Sequence, residues 1–419
     1  MAKSDNGIDV AVIGAGPAGL AAAIAAKEAG ANNVTIFERA ENLGGLLFQC
    51  IHNGFGLHKF KEDLTGPEYA HRYIERARDL KINMQLSTMV LDITPGRQIV
   101  ASSSRDGLIS FKPRSIVLAM GCRERTRQNL MIPGTRPAGV FTAGVAQRYV
   151  NIEGFMPGKK FVILGSGDVG MIMARRLSLE GAEIRAVLEI LPYVGGLIRN
   201  EVQCVHDFEI PLLLEHTVTN IHGRDRVEAV TVAKVDKNWQ AISGTEQLIE
   251  CDTLLLSAGL IPENELSLKA GIQLDPLVGG PIVNDRMETN VPGIFAGGNV
   301  VHVHDLVDNV SQEAEKAGTY AAEHAMVRAK PGERRINLRA GTNIRYIVPH
   351  SISGEVEVNL YMRVKEPADK VRLCVGNIFR KSLRAVRPSE MLQVSLSEKE
   401  LSKLQAGADE LVISCGGEE

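Results

Sequence analysis

Glycines and acids at fixed spacing are the residues best placed to do chemistry in this chain. Gly14-Ala15-Gly16-Pro17-Ala18-Gly19 follows the apolar run Val10–Ile13 and leads into an alanine-rich stretch, Leu20 to Ala29, that stops at Gly30. A second apolar run, Val34 to Phe37, ends in Glu38, 19 residues beyond Gly19, with Arg39 beside it. The pattern reads as strand, tight turn, helix, strand. Gly14 permits the sharp turn, Gly16 lets the backbone approach a pyrophosphate, and Gly19 lets helix and strand pack closely. Pro17 and Ala18 open the helix, whose N-terminus offers free N–H groups to an anion. Glu38 stands where a carboxylate accepts hydrogen bonds from a ribose.

The same unit recurs. Lys160 to Leu164 is a strand, Gly165-Ser166-Gly167-Asp168-Val169-Gly170 the turn, and Met171 to Glu180 a helix closed by Gly181. The strand Glu183 to Leu188 then delivers Glu189, again 19 residues past the last loop glycine. An acid here favours a free 2′-hydroxyl, hence NAD(H) over NADP(H). Arg185 lies inside the strand and weakens that preference only slightly. The alternative reading is that this second unit is an empty relic.

Other chemistries find less support. The six cysteines, Cys50, Cys122, Cys204, Cys251, Cys374 and Cys415, contain no CxxC, so zinc-ribbon, iron–sulfur and adjacent-dithiol sites lack their spacing. His302, His304, Asp305 and Asp308 invite a metal reading, and the i, i+2 histidines would point one way on an extended segment. They match no zinc motif, and polar contacts to a cofactor are preferred, so no metal is expected.

These groups sit in 419 residues, enough for two or three domains, with 44% hydrophobic and 23% charged residues, the mixture of a globular protein with a large core. The net charge of −3 gives no sign of a nucleic-acid partner. The polar start MAKSDNG shows no leader, and the apolar stretch Val10 to Ala26 is interrupted by Gly14, Gly16, Pro17 and Gly19. No transmembrane segment and a cytoplasmic location are therefore expected. Thr65-Gly66-Pro67-Glu68 predicts a capping box, followed by a covering helix with Tyr69, Tyr73, Ala77 and Leu80 on one face. After Lys330-Pro331-Gly332, short β-branched segments predict a small β-rich domain over residues 335–419.

Two such nucleotide units about 150 residues apart resemble the two-dinucleotide-binding-domain flavoproteins of the pyridine nucleotide–disulfide oxidoreductase superfamily. Ser115 to Gly121 resembles the family's strand ending in Ala-Thr-Gly, with Met120 in place of threonine. Thr253 to Gly259, with Pro262, resembles the strand closing the NAD domain. Thr289 to Asn299 resembles the strand that brings an aspartate to the flavin ribityl chain, here Asn299. The resemblance covers about residues 8–328. It implies an α/β fold with two Rossmann-like domains: a discontinuous FAD domain, 1–124 and 285–330, and an inserted NAD domain, 125–284. Met131–Gly134 and Pro157-Gly158 would be the crossover. FAD contacts are implied for the Gly14–Gly19 loop, Glu38, Arg39, Gly44, Gly45, Leu46 and Val90, and for Ala119, Met120, Gly121, Gly298 and Asn299. NAD(H) contacts are implied for the Gly165–Gly170 loop, Glu189 and Gly259.

A narrower resemblance lies in Gly44 to Gly56 and Gly121 to Arg127. These look like the FAD/NAD oxidoreductases that accompany anaerobic glycerol-3-phosphate dehydrogenase-type flavoproteins, and more distantly like the α components of amine and opine dehydrogenases. A second flavoprotein or electron-transfer subunit, or a homo-oligomer, is the implied partner, with the β-rich segment as the docking module. Deleting 335–419 is then expected to abolish assembly while leaving FAD bound. The family's Cys-x4-Cys would fall on Leu47 and His52, so a redox disulfide is not expected. Cys50 is either a reactive thiol beside the flavin or, preferred, a packed inert one. His52 is either a proton donor or a hydrogen-bonded loop residue, and Cys122 is structural. A helix from about Asn309–Gln312 to His324 is expected to aim its N-terminus at the flavin pyrimidine. The expected activity is NADH:acceptor oxidoreduction through FAD; the alternative is an FAD-bearing assembly subunit with an unused NAD site.

Overall fold

A computed structural model describes residues 7–327, 335–404 and 407–417. The polar start, Met1–Asn6, and the boundary at Lys330-Pro331-Gly332 lie outside the described residues. The chain forms two compact units, Met1–Cys122 with Pro262–Glu419, and Arg123–Ile261.

The first unit is built on apolar runs that do not alternate, as strands covered on both faces require. β1 (Val10–Ile13) and β2 (Val34–Phe37) are buried at every position and pair in parallel. Their sheet runs in the order Ile294–Ala296, Ser115–Leu118, β1, β2, Asn83–Gln85, all parallel. α1 (Pro17–Glu28) links β1 to β2, with proline in its first turn, where no N–H is needed. The helix Gly66–Asp79 starts at the predicted capping box of Thr65 and Glu68. It buries Tyr69, Tyr73 and Ala77, while Leu80 is half-buried at its C-cap. A three-stranded antiparallel meander, Thr88–Ile93, Ile99–Ser103 and Gly107–Phe111, interrupts the sheet.

The second unit repeats this plan. β3 (Lys160–Leu164), α2 (Asp168–Leu179) and β4 (Glu183–Glu189) are the counterparts of β1, α1 and β2. The parallel sheet runs Val140–Thr142, Thr253–Leu256, β3, β4, Leu212–Leu214, and a meander of His216–His222, Ala229–Lys234 and Gln247–Glu250 occupies the matching place. The unit boundaries fall at 122/123 and 261/262, against the expected 124/125 and 284/285. The stretch Met131–Gly134, expected at the crossover, packs inside the second unit, where Gly134 bridges Ile221.

Back in the first unit, α3 (Val307–Ala325) begins two residues before the earliest expected start. It lies directly on α1. A Cβ on Gly318 would stand 2.0 Å from the Ala22 carbonyl oxygen, and the alanines of both helices are buried around this crossing. Only small residues allow such an approach, so the alanine richness of both segments serves packing as much as helix propensity. Residues 336–417 form a five-stranded and a three-stranded sheet around their own core, including Leu360, Leu373 and Ile413. Tyr346 and Val348 instead join the core of the nucleotide-type fold, and Asp285 accepts hydrogen bonds from Ser353 N (2.6 Å) and Oγ (2.7 Å). The β-rich segment therefore also buttresses the fold beneath it. Among the described residues no helix is long and apolar enough to cross a membrane.

Candidate functional site

The first cradle is formed where β1 runs into α1. Gly14 sits at φ +103° and its N–H donates to Phe37 O at 2.8 Å, so the loop is tied to the end of β2. A Cβ on Gly19 would lie 1.8 Å from the Gly14 carbonyl oxygen; no side chain fits there. Pro17 and Ala18 form the first turn of α1 behind Gly16. Ala119 N donates to Ile13 O, which lays the Ala119-Met120-Gly121 segment along the loop. Gly44 N donates to Ala15 O, and a Cβ on Gly45 would stand 2.9 Å from Gly16 Cα, so this pair closes over the helix N-terminus. Next to it, Leu46 is exposed.

Glu38 is buried, and its carboxylate accepts from Ala15 N at 2.7 Å and Ala40 N at 2.8 Å. It braces the glycine loop. Two acceptor sites remain for ribose hydroxyls, since an ionised carboxylate offers about four. Arg39 is exposed alongside, and Val90 is buried on the first meander strand, whose Thr88 N donates to Glu38 O.

The second cradle has the same internal geometry. Glu189 Oε2 accepts from Ser166 N (3.0 Å) and Ser166 Oγ (2.5 Å), and Oε1 accepts from Leu191 N (3.0 Å). Ser166 and Leu191 stand at the same offset from Ala15 and Ala40 as Glu189 does from Glu38, 151 residues (189 − 38, 166 − 15, 191 − 40). Gly195-Gly196 repeats Gly44-Gly45 at that offset, and Gly195 N donates to Ser166 Oγ at 2.8 Å. This pair was not among the expected residues; the constant offset was the signal that could have found it. Asp168 Oδ1 accepts from Leu197 N (2.9 Å) and Asn200 Nδ2 (2.7 Å), which ties the first turn of α2 to the segment after Gly195-Gly196. Val169 is half-buried in the first turn of α2, where Gly167 is the N-cap and Gly170 packs on Gly165. Ser257 N donates to Leu164 O, which holds the approach to Gly259 (φ +90°) along the loop.

The segment between the sheet and α3 holds a polar cluster. Gly298 N donates to Glu313 Oε1 at 2.7 Å, and the Asn299 side chain accepts from His304 N (3.0 Å) and lies 3.7 Å from Cys122 Sγ. Glu313 Oε2 is 2.9 Å from His302 Nε2 and 3.4 Å from His304 Nε2. Burial and the neighbouring His304 push His302 down to about 4. Burial would raise the Glu313 carboxyl, but the two histidines hold it well below its usual range. Glu313 was invisible in the sequence pattern because it arrives from α3, eleven residues after His302. Asp305, weighed with the histidines, instead pairs with Arg363, and Asp308 accepts from His58 N.

Cys50 closes the short helix Gly45–Gln49, its Sγ donating to Leu46 O at 3.4 Å, and burial pushes the thiol up to about 11. His52 is half-buried, with Nδ1 2.9 Å from Asn53 O and its ring 5.1 Å from that of Phe55.

Hydrogen cyanide synthase subunit HcnB of Pseudomonas protegens is 26% identical over 285 residues, 62% of this chain and 58% of the relative. An opine oxidase subunit of Agrobacterium tumefaciens is 25% identical over 343 residues, 77% of this chain and 66% of the relative. The match thus spans less than two thirds of either relative's length. Thioredoxin reductase of T. acidophilum shares the fold, with TM-score 0.63 and 24% identity over 77% of this chain and 100% of that one. The family profile described as pyridine nucleotide-disulphide oxidoreductase matches residues 8–321, both cradles included. The chain therefore belongs to the pyridine nucleotide-disulphide oxidoreductase family, whose members bind FAD and NAD(P)H.

Proposed function

We propose that the chain is an NADH:acceptor oxidoreductase that reduces FAD and sends the electrons on without a protein disulfide, as one component of a larger dehydrogenase in the cytoplasm. The observation that carries this reading is the match between the cradles: Glu189 repeats the loop-bracing of Glu38 atom for atom, so the second cradle retains the same machinery as the first. When bound, FAD supplies the hydride chemistry. The protein binds and orients. The α1 N-terminus and Gly44-Gly45 would hold one pyrophosphate, and Glu38 its ribose. In the second unit the α2 N-terminus and Gly195-Gly196 would do the same, and the Glu189 carboxylate would disfavour a 2′-phosphate. The first turn of α3 would stabilise negative charge on a flavin pyrimidine held beside it.

Cys50 supports the disulfide-free reading, because a thiol raised to about 11 is protonated near neutrality and is a poor nucleophile. The names of the two relatives, each one component of a larger enzyme, support an assembly role. Purified yellow protein mixed anaerobically with NADH should lose its visible flavin absorption; an unchanged spectrum sinks the proposal. Reductive titration should stop at two electrons per FAD, whereas four would reveal a disulfide. Affinity purification of the native chain should bring down a second redox protein.

A further inference from the structure

We propose that His302, His304 and Glu313 bind a divalent transition-metal ion of the Zn2+ class. The sequence offered two histidines and no third ligand. The fold supplies it, because α3 brings Glu313 against both rings. The three side chains are almost fully buried, and their ligand atoms lie within 4.8 Å of one another. The two separations from Glu313 Oε2, 2.9 and 3.4 Å, are close to the roughly 3.4 Å between ligand atoms around a tetrahedral ion with bonds of about 2.0–2.1 Å. The ring centroids of His302 and His304 are 4.1 Å apart, so the imidazoles already converge.

Hydrogen bonding by itself leaves this cluster incomplete. His304 Nδ1 and Nε2 and His302 Nδ1 are buried without a hydrogen-bond partner. Buried polar atoms without partners are costly. Arg363, the cation facing this region from the β-rich segment, is engaged by Asp305 and by the Pro388 and Ser389 carbonyls. An ion at the convergence point takes up both Nε2 atoms and the carboxylate together.

The donor set chooses the ion. Two imidazoles and one carboxylate, with no thiolate, suit Zn2+, Fe2+, Co2+ or Ni2+ and disfavour Ca2+ and Mg2+, which prefer all-oxygen shells. A cavity of about 240 Å3 bordered by Glu313, Gln312, Lys316 and Tyr361 can deliver a water as fourth ligand. Glu313 Oε1 holds Gly298 N, so the ion would brace the Gly298-Asn299 turn through one residue.

The test uses the full-length protein with its flavin. It is stripped with a chelator, then titrated with Co2+ while the visible bands beyond the flavin absorption are followed; zinc is counted by mass spectrometry after growth with added Zn2+. One ion per chain, Co2+ bands of tetrahedral intensity and a rise in melting temperature are expected. His302→Gln and His304→Gln should each weaken binding by more than about 100-fold, while the exposed control His206→Gln should not. Absence of stoichiometric metal together with no Co2+ bands in the wild type overturns the proposal. So does unchanged binding in both variants, the mark of an adventitious ion only. If the variants fail to fold, the wild-type stoichiometry and Co2+ spectrum decide it alone.

Discussion

Glu189→Gln offers a sharp test of how the second cradle chooses its nucleotide. The carboxylate already accepts three hydrogen bonds, two on Oε2 and one on Oε1. With about four acceptor sites in all, one remains, on Oε1, for a ribose hydroxyl. That charge-assisted bond is worth about 1.5–3 kcal/mol, and a neutral amide keeps roughly half of it, so NADH should bind about 5–10-fold more weakly. NADPH should gain. At about 5 Å and an effective dielectric of about 20, each unit of phosphate charge costs about 3 kcal/mol beside a carboxylate, a factor of roughly 200. The NADH-over-NADPH preference should therefore fall at least about 100-fold. The amide also leaves a loop N–H short of an acceptor, costing about 1–3 kcal/mol in stability, so the variant should be assayed well below its melting point. Anaerobic stopped-flow measurement of flavin reduction by each nucleotide reads the ratio. A preference unchanged within about threefold, in a folded variant with full flavin, would refute the reasoning. Glu38→Gln is the mirror control: it should lower flavin retention and leave the nucleotide ratio unaltered.

Gly19→Ala should yield protein without flavin, because the added Cβ falls 1.8 Å from the Gly14 carbonyl oxygen; a full flavin-to-protein absorbance ratio would contradict this. Cys50→Ser should reduce with NADH at a rate within about twofold of wild type. In the parent, burial favours the protonated thiol, so alkylation of Cys50 followed by mass spectrometry should climb steadily as pH rises toward about 11; a plateau near pH 7–8 would mean a stabilised thiolate. Asp285→Ala removes the acceptor for Ser353 N and Oγ and should cost about 1–3 kcal/mol, seen as earlier proteolysis within residues 336–417. Because Tyr346 and Val348 lie in the core beneath, removing the whole β-rich segment should also lower flavin retention, in contrast to the expectation from sequence.

The cradles were legible in the sequence because they are local. A glycine at a forced turn, a glycine at a helix–strand contact and an acid one strand later stand at short fixed distances, so residue type and spacing suffice to specify the loop. The same holds for the capping box at Thr65-Glu68, and for Gly195-Gly196, which stood in plain view at the constant offset of 151. What depended on side chains meeting across the fold was decided only by tertiary structure. Asp168 lies in the expected loop, and only the fold shows that its carboxylate is tied to Leu197 and Asn200 of the following segment. Asn299 faces His304 and Cys122, and Glu313 joins two histidines from a different element, through the packing of α3 on α1 at Gly318 and Ala22. Sequence alone thus determined where two glycine turns and the acid that follows each would stand, since backbone turns dictate that. Which carboxylates brace loops, and which buried atoms are left wanting a partner, followed only once the helices and sheets had closed on one another.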